Sequence, residues 1–136
     1  MAIATWSPDG KLEGIAIKAA GLEASDTTGS AVYAGKGKFR LKTAITAIVT
    51  DTGDEIYNIK IQANSRGATT TWVDITPNMC YGAAAATGDT VTTADEWEII
   101  VDNPNDYQVR YVSNLVGTVG TGINYTLTAY SLLSKA

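Results

Sequence analysis

There is no histidine anywhere in these 136 residues. That absence removes the commonest general base, the Ser-His and Cys-His nucleophile pairs, and the usual imidazole ligands of zinc and iron. Cysteine occurs once, at Cys80, so an internal disulfide is excluded and the chain does not look built for an oxidising compartment. With no histidine partner and a Met-Cys-Tyr setting, Cys80 reads as a structural thiol, not a nucleophile. Charged residues are scarce at 18%, and the net charge is -4. No excess of Lys and Arg is available to displace phosphate counterions, which argues against nucleic acid as a partner. No segment reaches the ~20 apolar residues that span a bilayer, and MAIATWSPDG lacks a charged stretch followed by a long apolar run. Neither membrane insertion nor secretion is expected, and the reducing cytoplasm is the expected place of synthesis.

What is present favours strands. Hydrophobic residues reach 45%, Thr and Ala are abundant, and Gly numbers 13, a profile of strands and turns. The length suits one domain that buries roughly two thirds of its unfolded surface. The clearest stretch is Lys38 to Ser65. Phe39, Leu41, Ile45, Ala47 and Val49 alternate with Lys38, Arg40, Lys42, Thr46 and Ile48. Tyr57, Ile59, Ile61 and Ala63 alternate with Asn58, Lys60, Gln62 and Asn64. Period-two alternation puts each set on one face of a strand. Pairing 49 with 57, 47 with 59 and 45 with 61 sets both apolar rows on the same side, so the stretch predicts one long β-hairpin turning at Thr52-Gly-Asp54.

The remaining segments read as further strands. Residues 1–14 carry the turn Pro8-Asp-Gly10 and form an N-terminal arm, with the sandwich domain over 15–136. Ile15, Ile17 and Ala19 suggest a short strand, 25–30 a polar loop, and Ala31 to Tyr33 a strand start that Gly35 and Gly37 interrupt. Thr70 to Thr76 reads as a strand ended by Pro77, and 78–94 as a long loop with room for a short strand. Trp97, Ile99 and Val101, then Tyr107, Val109 and Tyr111, then Ile123, Tyr125, Leu127 and Ala129 alternate in turn. Seven or eight strands without strand-helix alternation predict an all-β, antiparallel two-sheet β-sandwich. Its long hairpin and uneven connections favour a jelly roll. An immunoglobulin-like sandwich is the near alternative, although the Cys...Trp...Cys framework is absent.

Several chemical readings are weighed against plainer ones. Asp95, Glu96 and Glu98 near Trp97 have the residue types of a glycosidase pair, but alternation alone explains an outward acidic edge. The loops 51–55 and 102–106 carry oxygens suited to Ca²⁺, yet fit no EF-hand, and Asp and Asn are ordinary turn formers. The glycine-rich stretches around Gly35 and Gly117 match neither a phosphate-binding loop nor a dinucleotide fingerprint. No cofactor or metal is expected. Trp6, Trp72, Trp97 and the tyrosines suit sugar stacking, but Trp97, Tyr57, Tyr107, Tyr111 and Tyr125 fall on predicted inward rows. Trp72, opposite in parity to Val73 and Ile75, is the candidate stacking residue. The positive feature is Lys36, Lys38, Arg40 and Lys42, four cations at every second position, with Lys60 expected beside them on the returning strand. They read as a solvated, aggregation-resistant face or as an electrostatic dock for an acidic protein surface.

The order of pieces then carries a resemblance. A Gly-Lys-Phe strand, EIYNIKIQANS over 55–65, WVDI over 72–75, IIVDN over 99–103, YQVRYV over 107–112 and the stretch Gly117 to Tyr130 ending INYTLTAY resemble the small β-sandwich capsid decoration, or cement, proteins of tailed bacteriophages. The likeness spans residues 35–132 and transfers no site residue. It implies a non-enzymatic virion protein, made in the bacterial host cytoplasm, that binds the outer capsid surface as a homo-oligomer, a dimer or trimer, with the major capsid protein as partner. The arm and the 78–94 loop would then reach neighbouring subunits. A carbohydrate-binding or receptor-binding module of a fibre or tail is the competing class.

Overall fold

The computed structural model describes residues 14–33, 37–49, 54–77, 79–81, 95–105 and 107–131. The N-terminal arm, apart from Gly14, and Lys36, Trp6 and most of the 78–94 loop lie outside the described residues, as do the side chains of Cys80 and Trp97. Eleven strands are described: β1 (Ile15–Lys18), β2 (Leu22–Glu23), β3 (Thr27–Thr28), β4 (Val32–Tyr33), β5 (Gly37–Ile48), β6 (Ile56–Ser65), β7 (Ala68–Asp74), β8 (Met79–Tyr81), β9 (Asp95–Asn103), β10 (Gln108–Val116) and β11 (Ile123–Ser131). They exceed the expected seven or eight because residues 15–33, including part of the expected polar loop, contribute four short strands.

The strands form two antiparallel sheets packed against each other. One runs β1-β11-β5-β9, with β2 also on β11; the other runs β3-β10-β6-β7, with β4 on β10 and β8 on β6. With β1/β2, β3/β4 and β7/β8 each sharing one rank, the described strands form a β-sandwich of four ranks facing four.

The long hairpin does not form. β5 and β6 lie in different sheets, β5 between β11 and β9, and β6 between β10 and β7. Sequence parity could not separate these cases. Two inward apolar rows are required whether the strands pair side by side or face each other across a sandwich ~10 Å thick. Both flanks of β5 are already taken, over nine registered positions each.

The alternation itself is realised. Phe39, Leu41 and Ile45 of β5, Tyr57, Ile59, Ile61 and Ala63 of β6, Val109 and Tyr111 of β10, and Ile123, Tyr125, Leu127 and Ala129 of β11 are buried in one core with Ile15, Ile17 and Val101. The row breaks at the end of β5, where a register shift opposite Asn124/Tyr125 resets the parity. Ile48 packs on the core there, and Ala47, expected inside, is exposed.

Thr43 takes an inward position between Leu41 and Ile45. It is fully buried, and its Oγ1 has no hydrogen-bond partner among the described residues. Valine keeps the shape and removes the stranded hydroxyl, so Thr43→Val is expected to raise stability by about 1 kcal/mol. Chemical denaturation of the two proteins checks this.

Candidate functional site

The cationic row occupies the outer face of β5. Antiparallel register sets Arg40 opposite Ile100, Lys42 opposite Glu98 and Ala44 opposite Glu96 on β9. Arg40 Nη1 donates to Glu98 Oε2 at 3.1 Å, and Lys42 Nζ lies 3.5 Å from Glu96 Oε2. On the other flank the Arg40 guanidinium stands 5.3 Å from the Tyr130 ring centroid. The acidic run of β9 is thus an outward edge, as alternation predicts, and its carboxylates neutralise the cations beside them. Ile100, in the middle of this face, is 67% exposed. Lys38 is exposed near its end, opposite Asp102.

Lys60 does not join this row. It projects from the outer face of β6, in the opposite sheet, and pairs with Asp74 at 3.2 Å. The expected single stripe therefore divides between two faces, because the hairpin that would have set Lys60 on the same outer face as Lys42 is absent.

Trp72 stands on that second face, half-buried. The Arg110 guanidinium sits 4.1 Å from its ring centroid, and Arg110 Nε donates to Gln62 Oε1 at 3.0 Å. Gln62 Nε2 in turn donates to Asp74 Oδ1 at 3.0 Å. That hydrogen bond first, and Lys60 after it, hold the Asp74 carboxyl below its ordinary range. Tyr107, expected inside, is only partly buried: it meets Tyr33 edge-on, and Arg66 lies 4.9 Å from its ring centroid.

Sequence reasoning missed a polar cluster inside the sandwich, where the 15–33 segment crosses from one sheet edge to the other. A register shift between Ala16 and Lys18 turns both Ile17 and Lys18 inward. Lys18 Nζ donates to the carbonyls of Ala19, Gly21 and Tyr125 at 3.1, 3.0 and 2.8 Å, and lies 4.3 Å from the Tyr125 ring centroid. Glu23, equally buried, accepts hydrogen bonds from Tyr111 Oη and Ser113 Oγ, both at 2.7 Å, and from Tyr125 Oη at 3.3 Å. Ser113 Oγ and Tyr125 Oη also share a short hydrogen bond. One carboxylate thereby joins β2 and β11 of one sheet to β10 of the other. Beside it lies a cleft of about 520 Å³ lined by Ala16, Lys18, Leu22, Glu23, Thr28, Ser30 and Tyr111 among others. All three protons of the Lys18 ammonium and both oxygens of Glu23 are engaged within the fold, so the cluster acts as a polar rivet between sheets. The available signal was Ser113, Tyr111 and Tyr125 on inward rows, since buried hydroxyls require an acceptor.

Burial lowers the pKa of Lys18, and the Glu23 charge partly opposes this. Burial, reinforced by Glu23, pushes both Tyr111 and Tyr125 above the ordinary phenol range. The unfolded chain therefore releases these two phenolic protons first as pH passes the ordinary value of 10.0, and stability falls as pH rises beyond it. Lys18 acts oppositely, since the fold disfavours its charged form up to the ordinary 10.5. Two tyrosines against one lysine give a net loss above about pH 10.5. Denaturant midpoints at about pH 10.5 and pH 11.5 test this. A marked decrease is expected, smaller in Tyr111→Phe, which has no phenol to ionise.

Among the described residues no group of three or more His, Cys, Asp or Glu is placed to hold one metal ion, and no helix is long and apolar enough to cross a membrane. Comparison with protein-family models, with curated proteins and with solved structures finds no match.

Proposed function

We propose that this chain is a non-enzymatic virion structural protein, a capsid decoration protein that docks on the outer surface of a phage head and bridges major capsid subunits. The observation that carries the proposal is the outer face of β5 and β9. There Arg40, Lys42, Glu96 and Glu98 form two parallel rows of opposite sign around the exposed Ile100. Exposed ion pairs contribute ~0–1 kcal/mol each to a fold. Their more effective use is to set register and association rate against a complementary protein surface, with an apolar residue at the centre of contact. The order of strands and turns, which resembles the phage cement proteins, supplies the partner class. Binding only the assembled lattice would stabilise it by mass action.

The test is occupancy on particles that lack the protein. Arg40→Glu/Lys42→Glu is expected to lower binding at least tenfold and to flatten its salt dependence. Lys60→Glu, on the opposite face, should bind like the parent. Equal occupancy of the double variant would remove this face from the contact.

A second reading rests on Trp72. It is partly exposed beside Gln62, Asp74 and Arg110, groups that hydrogen-bond sugar hydroxyls, and this suits a carbohydrate-binding or receptor-binding module. Glycan binding that is lost in Trp72→Ala would favour it.

A further inference from the structure

The two sheets have four lateral edges, and three carry recognisable protection against strand pairing. β1 and β2 share one edge and β3 and β4 another, with four residues at most in any strand. β9 is long, but Asp95, Glu96, Glu98 and Asp102 lie along it. Short strands and charge both suppress edge-to-edge association. β7 has neither. Its seven residues, ATTTWVD, carry one charge, at the last position, and every side chain but Trp72 is exposed. It pairs with β6 on one side, and among the described residues no strand lies on the other. The pairing with β6 is irregular between Ala63 and Ser65, and the buried Asn64 bridges the gap by donating from Nδ2 to the Thr69 carbonyl at 2.9 Å. β7 is thereby held in the sheet with no described strand on its outer edge.

We infer that this edge pairs with β7 of a second copy of the chain, antiparallel about a two-fold axis at Thr71, the middle residue of the strand. In that register Trp72 faces Thr70 of the second copy, Val73 faces Thr69, and Asp74 faces Ala68. Aromatic and β-branched pairs of this kind stabilise antiparallel strands, and no like charges meet. Arg66, two residues before Ala68, becomes the diagonal neighbour of Asp74 with opposite sign. Val73, 42% exposed on the core side of its sheet, gains cover. The same operation on β9, about its middle residue Ile99, sets Glu96 against Asp102 twice and is repelled. The charge pattern thus selects β7 over the other long edge, and a closed two-fold pair results in place of an open chain of copies.

This inference is independent of the capsid reading, since self-association is measured without any particle. Analytical ultracentrifugation of the full chain over a dilution series is expected to show a dimer that dissociates on dilution. Thr71→Lys and Thr71→Glu, each placing like charges across the axis, should weaken association at least tenfold while leaving the thermal midpoint unchanged at a dilution where the parent is monomeric, because Thr71 is exposed. An equimolar mixture of the two variants should recover the dimer. A parent chain that stays monomeric at its highest soluble concentration overturns the inference. So do variants that dimerise like the parent, or a mixture that remains monomeric.

Discussion

Replacing Glu23 with alanine is expected to destabilise the fold by about 3–5 kcal/mol, the cost of breaking a buried charged network on one side. The change removes the acceptor of Tyr111, Ser113 and Tyr125 at once and strips the buried Lys18 of the charge that favours its protonated form. Glu23→Gln keeps an acceptor but loses the charge, and about 1.5–3 kcal/mol is expected. Because Lys18 and Glu23 belong to one network, Lys18→Met combined with Glu23→Ala should depart from additivity by about 0.5–3 kcal/mol. Urea denaturation of the parent, Glu23→Ala, Glu23→Gln, Lys18→Met and the double variant measures all three quantities. A Glu23→Ala cost below 1 kcal/mol would mean that the rivet does not hold the sheets together.

The second large effect is expected at Gly122, which precedes β11 in the same corner. Its φ is +97°, and a Cβ added there would stand 1.9 Å from the carbonyl oxygen of Glu23. The left-handed backbone alone costs a non-glycine residue about 1–3 kcal/mol. The contact adds to this, because Glu23 and Ile123 are registered partners and β2 must move off β11 to admit a methyl group. Gly122→Ala should lower the melting temperature by roughly 10 °C, the shift that ~3 kcal/mol produces in a domain of this size. Gly120→Ala provides the control: no atom lies within 4 Å of its Cβ position and its φ is not positive. A change within about 0.5 kcal/mol is expected there. Similar losses in both variants would contradict the steric argument.

These two positions also mark where the sequence stops being readable. Strand alternation identified the inward rows of β5, β6, β10 and β11, since residues such as Leu41, Ile59 and Leu127 have one apolar face to hide. It could not assign β5 and β6 to separate sheets, because the inward row is identical for neighbours in one sheet and for strands facing each other. Irregular pairing defeated parity locally, turning Lys18 inward and Ala47 outward. The candidate site suffered from the first of these failures. Lys38, Arg40 and Lys42 were legible as one row from their spacing. Their acidic counterparts on β9 and the removal of Lys60 to the far sheet depend on pairing between segments more than fifty residues apart. Glu23 was invisible for the same reason: its partners at 111, 113 and 125 come from two strands nearly ninety or more residues away.

The functional claim is most directly tested by counting copies. Quantitative mass spectrometry of gradient-purified particles from the source encoding this chain is predicted to find hundreds of copies per particle, in fixed proportion to the major capsid subunit. A handful of copies would place the chain in a tail or fibre, and complete absence from particles would contradict a virion role altogether.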